Sequence, residues 1–180
     1  MSGKSLYDGD GTVLRITKHG EKVLKNPSKE IDFESFASDL PELLENMWAT
    51  MYHANGVGLA APQIGLNIRL AVIDVRPDGK SERLVLLNPE ILSREGSVIE
   101  EEGCLSIPGL YAKVKRHQKV RVRAMDENGK AWERTGTGLL ARAFEHEVDH
   151  LEGKLFIDHL DLVRRLKVAG ILKDLKKTWA

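Results

Sequence analysis

"GLLARAFEHEVDHLEG", residues 138 to 153, decides how the rest of the chain must be arranged. Its apolar residues recur at helical spacing and Gly153 supplies a stop, so a helix from Thr137 to Glu152 is expected. Stepping about 100° per residue with His146 at zero, Leu139, Leu140, Ala143, Phe144, Val148 and Leu151 fill an arc from about 20° to about 200°. His150 falls at about 40° and Glu147 at about 100°, in the middle of that apolar stripe. Arg142, Glu145, Asp149 and Glu152 gather on the opposite side and are expected to face solvent. A lone buried carboxylate would shift its pKa or destabilise the fold, so Glu147 calls for a compensating positive charge.

A divalent metal supplies that charge. In H-E-x-x-H on a helix, two histidines one turn apart reach one ion while the glutamate between them reaches a water bound to it. The bland alternative is a helix with two solvated histidines and a salt-bridged glutamate. Two histidines leave a ligand position to fill, and "EEGCLSIPG", residues 101 to 109, offers Cys104, the single cysteine of the chain. Gly103 permits close backbone approach, and Pro108 and Gly109 end the segment, so a thiolate can be presented from a loop or strand end. Cys plus two His with one position open is the pattern of a catalytic site, because structural zinc sites are closed by four protein ligands.

Composition bounds the alternatives. The chain has 180 residues, with 27 Lys plus Arg against 27 Asp plus Glu and a net charge of zero. That length suits one domain spanning 1–180, and the balance argues against specific DNA or a membrane as partner. The start, "MSGKSLYDGDGTVLRITKHG", lacks an apolar core of leader length, and no later segment approaches the ~20 apolar residues of a membrane span. A cytoplasmic location is expected, or an organelle if a transit peptide was removed. One cysteine rules out an internal disulfide and suits a reducing compartment.

Outward from the helix, "KHGEKVLKNPSKEID" reads as loop. Leu40, Leu43, Leu44, Met47, Trp48 and Met51 then recur at helical spacing, with Ser38 as N-cap, Pro41 in the first turn and Asn55-Gly56 as stop. From Ile68 the pattern turns to β-prone runs: "IRLAVIDV", "RLVLLNPEIL", "YAKVKRHQKVRVRAMD" and "KAWERTGTG", with a hairpin turn at Asp126 to Gly129. Val120, Val122 and Ala124 alternate with Arg121, Arg123 and Met125, giving one packed and one wetted face. The acidic run Glu100 to Glu102 reads as a solvated edge, and His19, His53, His117 and His159 as surface or loop histidines. A last amphipathic helix carries Leu160, Val163, Leu166, Leu172 and Leu175 and reads as a docking helix. The class is α+β, with a small, largely antiparallel sheet region and helices packed against it.

"GVGLAAPQIG", residues 56 to 65, is by itself only a tight glycine-rich path followed by Gln63. Taken in order, "GVGLAAPQ", "EGCLS" and "HEVDH" resemble the three signature motifs of the peptide deformylase family, and the likeness runs from the first long helix to Phe156. The resemblance implies an α+β fold of mostly antiparallel sheets around a central HExxH helix, with an N-terminal and a C-terminal helix. It implies removal of the formyl group from N-formylmethionyl nascent polypeptides. Cys104, His146 and His150 match the family's metal ligands, Glu147 its acid/base, and Gln63 with the N–H of Leu105 its oxyanion-stabilising pair. The backbone of Val57 and Gly58 matches the strand that receives an extended peptide, and Leu139 and Ala143 would line the methionine pocket. The implied ion is Fe²⁺, with Zn²⁺ or Ni²⁺ also suited to these donors. A transient ribosome contact through the C-terminal helix is a further expectation.

The chain departs from the family pattern at Glu145, where Gln is common, at Arg142, where the residue is often apolar, and at Asn55-Gly56, where acidic residues are common. Two other readings remain open: a zinc endopeptidase of the general HExxH kind, which would cleave internal peptide bonds, and a non-catalytic module with a structural metal, which would need a fourth protein ligand.

Overall fold

The computed structural model describes residues 9–179; Met1 to Asp8, part of the stretch read above as lacking a leader, lie outside the described residues with Ala180. After a 3-10 turn at Lys22–Lys25, inside the segment expected to be all loop, come α1 (Phe33–Phe36) and α2 (Leu40–His53). The strands are β1 (Gly58–Ala60), β2 (Leu70–Ile73), β3 (Leu84–Glu95), β4 (Val98–Gly103), β5 (Tyr111–Arg116), β6 (Lys119–Met125) and β7 (Ala131–Thr137). The chain closes with α3 (Gly138–Leu151) and α4 (Leu162–Leu175). One antiparallel sheet runs β1-β2-β3-β6-β7, and β4-β5 form a separate two-stranded ribbon. The fold is thus α+β with antiparallel sheets and a C-terminal helix.

The five-stranded sheet is covered on both faces at its β1-β2 end, while β6 and β7 keep one face exposed. In β2, Leu70 and Val72 point toward α2, among Leu44, Met47, Trp48 and Met51, while Ala71 and Ile73 point toward α3, beside Leu140, Ala143 and Phe144. A strand buried on both faces has no polar side, so "LAVI" reads as an unbroken apolar run. Phe144 is fully buried against this sheet, and truncating such a residue to alanine costs about 3–5 kcal/mol. The packed face of β6 is Val120, Val122 and Ala124, as its alternation predicted. A third apolar cluster joins the ribbon to the C-terminal region through Ile107, Leu110, Val114, Phe156, Leu160, Val168 and Leu172.

Several expectations need correction. Ser38 is not the cap of α2: Asp39 holds that position and neither side chain caps the helix, so entry is set by Pro41 in the first turn. The run "YAKVKRHQKVRVRAMD" is two strands, because the chain corners at His117-Gln118 and passes from the ribbon to the main sheet. Glu100 to Glu102 belong to β4, and only Glu100 and Glu101 are exposed. In α4, Val163 and Leu166 are exposed rather than docked. Val168, Leu172 and Leu175 share one helical face and pack on the ribbon, leaving Leu162, Val163 and Leu166 on the other side.

Candidate active site

Three segments bring their side chains to one cavity of about 670 Å³, walled by β1, the end of β4 with the loop after it, and α3. His146 and His150 stand one turn apart on α3 with their Nε2 atoms 3.2 Å from each other, and His150 Nε2 is 3.4 Å from Cys104 Sγ. All three ligand atoms lie within 4.8 Å of one another. A tetrahedral ion with bonds of about 2.0–2.3 Å holds adjacent ligand atoms roughly 3.3–3.6 Å apart, so the donor set fits such an ion. Among the described residues no fourth histidine, cysteine or carboxylate joins this group, which removes the observation a closed structural site would need.

The local chain explains each position. Cys104 follows the last residue of β4 and opens a turn closed by Ile107 N–H donating to its carbonyl at 2.9 Å. A Cβ on Gly103 would fall 2.6 Å from the Tyr111 ring across the ribbon, so the glycine just before the cysteine lets that exposed ring lie over the strand end. Burial alone would push the Cys104 thiol up, but the charge of His150 and hydrogen bonds from both histidines hold it at about 5, so the sulfur is a thiolate at neutral pH.

Glu147 lies beneath β1 and is 3 % exposed. Its Oε2 is buried with no hydrogen-bond partner among the described residues. Such an orphaned acceptor is rare in a native core and points to a water or ion as its missing neighbour. Burial raises its pKa, with His146 and His150 pulling the other way. Gln63 sits in a 3-10 turn, Ala61–Ile64. Its Oε1 accepts from Ala60 N–H at 2.9 Å, which turns the amide nitrogen toward Cys104 Sγ at 3.5 Å and Ser106 Oγ at 3.3 Å. The start of the chain secures both loops. Thr17 donates from N–H to Gln63 O and from Oγ1 to Pro62 O, Lys18 Nζ donates to Leu105 O, and His19 N–H donates to Ser106 O.

Sequence reasoning missed the layer behind the ligands. His146 Nδ1 faces Glu102 Oε2 at 3.1 Å, and Arg116 donates to both oxygens of Glu102 and to Asp149. Burial opposes ionisation of Glu102, yet hydrogen bonds from His146 and Arg116 hold its pKa at about 2. A carboxylate behind a histidine ligand fixes the ring and its tautomer. The only signal in the sequence was the position of Glu102 directly before Gly103-Cys104.

All four charges expected to face solvent on α3 are engaged or enclosed, and of them only Glu152, paired with Arg69, is exposed. Glu145 is buried and accepts from His117 N–H at 2.8 Å, with His117 Nδ1 at 2.7 Å and Arg94 Nε at 3.3 Å. Asp149 pairs with Arg116 and His159, and Arg142 lines the cavity. The helical wheel assumed burial on one side, but α3 meets the sheet on one face and the ribbon with its corner on the other. His117, in the loop between β5 and β6, and the exposed His159 are loop and surface histidines as expected, and both also pair with α3. The remaining sequence candidates, Leu105, Val57, Gly58, Leu139 and Ala143, all line the cavity.

Three convergent soft and imidazole donors beside an orphaned carboxylate, on an α+β scaffold, are the features of a metal-dependent hydrolase. The family follows from comparison: residues 13–166 match the polypeptide deformylase family, and the chain belongs to it. The peptide deformylase of Thermodesulfovibrio yellowstonii is 47 % identical over 154 residues, covering 85 % of this chain and 92 % of that one. The crystal structure of the Legionella pneumophila enzyme is 44 % identical with a TM-score of 0.85, covering 93 % of this chain and 97 % of that one. A class I type b deformylase from Acinetobacter baumannii, bound to Met-Ala-Ser, is 35 % identical with a TM-score of 0.79, covering 83 % of this chain and 99 % of that one. The protein is therefore an enzyme that removes the N-formyl group from new peptides. Among the described residues no helix is long and apolar enough to cross a membrane.

Proposed function

We propose that this chain deformylates N-formylmethionyl peptides at a divalent ion held by Cys104, His146 and His150, with Glu147 as the proton carrier. The observation that carries this reading is the convergence of the three ligand atoms within 4.8 Å near the buried Oε2 of Glu147, which has no hydrogen-bond partner among the described residues. Fe²⁺ is the proposed ion in the cell, and Zn²⁺ or Ni²⁺ suits the same donors. When bound, the ion supplies Lewis-acid activation of the formyl oxygen and of water.

The chain's own groups do the rest. Glu147 takes the proton of the attacking water and delivers it to the departing amine nitrogen, leaving formate and a free N-terminus. A carboxylate whose burial raises its pKa is suited to carrying that proton between the two steps. Gln63 Nε2 and the N–H of Leu105 meet the negative charge that develops on the formyl oxygen, and Ser106 Oγ orients the Gln63 amide at 3.3 Å. The peptide lies extended along Val57-Gly58, and the methionine side chain enters between Leu139 and Ala143. The Acinetobacter baumannii relative with Met-Ala-Ser bound supports a peptide of this chemistry in the cavity. The setting is the cytoplasm, and the exposed Leu162, Val163 and Leu166 beside Arg164, Arg165 and Lys167 are the surface proposed for a transient ribosome contact.

Glu147→Gln tests the reading. The amide keeps the shape and removes the charge, so metal content and circular dichroism should stay near wild type while kcat on a formyl-Met peptide falls by roughly 10²–10⁴. Full metal with full activity would end the proton-carrier role.

A further inference from the structure

Among the described residues, Arg142 is the cation of the cavity with no hydrogen-bond or ion-pair partner. It lies on α3 one turn before His146, shares the cavity wall with Leu139 and Ala143, and is half-buried. Among the described residues its guanidinium makes no hydrogen bond and no ion pair, whereas the neighbouring cations are committed. Arg116 holds Glu102 and Asp149, Arg94 binds Glu145, and Lys18 donates to Leu105 O.

The cavity's carboxylates do not answer it. Glu102 is held by Arg116 and Glu147 lies beneath β1. Glu101 also lines the wall, but it is exposed to water, makes no ion pair with Arg142, and stands directly opposite Lys113 in the ribbon. A cation directly across two strands offsets it. A guanidinium drawn partly out of water with its donors unused favours an incoming acceptor, and its planar fork matches a carboxylate best.

We propose that Arg142 is a specificity-determining residue that favours formyl peptides carrying an acidic side chain at their third residue. The inference rests on the proposed seating of the substrate, extended along Val57-Gly58 with its first side chain between Leu139 and Ala143. Successive side chains of an extended chain alternate, so the second residue points away from α3. The third returns to the α3 side, ~6.6–6.8 Å further along. Arg142, on the same helical face as the methionine pocket, is the charged group on that side.

The test uses the metal-loaded enzyme and two peptide series, formyl-Met-Ala-X-amide and formyl-Met-X-Ala-amide, with X as Glu, Gln or Lys. The readout is the ratio of kcat/KM between peptides within one protein, so a change in overall activity of a variant does not enter. For wild type, Glu at the third residue should exceed Gln by about two- to fivefold, the range of a partly exposed ion pair, with Lys below Gln. The gain should sit in KM and shrink with added salt. Arg142→Gln should abolish it and Arg142→Glu should reverse it, with metal content and circular dichroism checking that both variants are folded. Equal ratios in wild type, a preference confined to the second residue, or a preference surviving both substitutions would overturn the inference. Failure of wild type to deformylate any peptide of the panel would instead sink the underlying reading, and this one with it.

Discussion

Gly58→Ala should disable the enzyme without disturbing its ligands. A Cβ at this position would lie 2.2 Å from Glu147 Oε1, 2.8 Å from Cδ and 3.1 Å from Cγ. Ordinary contact needs about 1 Å more than the shortest of these, so one side must move by that amount. β1 is poorly placed to yield, because Gly58, Leu59 and Ala60 are paired in register with Ile73, Val72 and Ala71, which are themselves fully buried. The carboxyl of Glu147 therefore swings. A misplacement of about 1 Å at a reacting group costs on the order of 10² in rate. The three atoms nearest the new methyl all belong to Glu147 and none to Cys104, His146 or His150, so metal should remain stoichiometric, and the loss should fall in kcat more than in KM. The measurements are metal analysis, circular dichroism and steady-state kinetics on a formyl-Met peptide. Background dependence sharpens the test. If the methyl acts by displacing Glu147, adding it to Glu147→Gln should lower kcat little further, since the displaced group is already inert. Wild-type kcat in Gly58→Ala, or a full multiplicative loss in the double variant, would refute the reasoning.

Three further outcomes are expected. Cys104→Ala should lose most bound metal, measured by elemental analysis after dialysis, and a variant that keeps one equivalent would remove the thiolate from the ligand set. Gln63→Ala should keep metal and fold while kcat falls by roughly 10²–10³, the effect of deleting one oxyanion donor; unchanged turnover would leave Gln63 a loop-ordering residue only. Glu102→Gln should weaken metal binding by about 10–100-fold in a chelator competition. Glu102 has its folded pKa depressed to about 2 from 4.5. Its contribution to stability is therefore fully present above the unfolded value and is lost as pH falls toward the folded one. An acid-unfolding curve for Glu102→Gln that is as steep as wild type over that window would count against this role.

The sequence disclosed the site better than its surroundings. His146, Glu147, His150 and Cys104 were legible because two imidazoles and a carboxylate beside an apolar helical stripe, with a single thiol in a glycine-flanked turn, together suit a metal ion far better than a packed core. Glu145 was misread because a helical wheel knows only its own helix, and the corner at His117-Gln118 that covers Glu145 comes from a different part of the chain. Glu102 was hidden in an acidic run, since its partner Arg116 lies across the ribbon, 14 residues away. β1 is only three residues, Gly58-Leu59-Ala60, too short for alternation to detect, and its reason for being glycine at 58 is a carboxylate on α3. In α4 the apolar residues are spread around the helix, so composition could not say which of them dock.

The contacts that close the site span nearly equal stretches of chain. Thr17 to Pro62 is 45 residues, Gln63 to Ser106 is 43, and Cys104 to His150 is 46. Each is a separate loop closure, costing about 3 kcal/mol of chain entropy before any constant, and no fragment holds more than part of the pocket. Assembly of the pocket is thus a non-local, late event in folding, which waits until the chain has been made through α3. Because Cys104 joins His146 and His150, the proposed ligands, only when the loop between them closes, binding of the proposed ion would be linked to folding, and chelation should lower the melting temperature as well as stop the reaction.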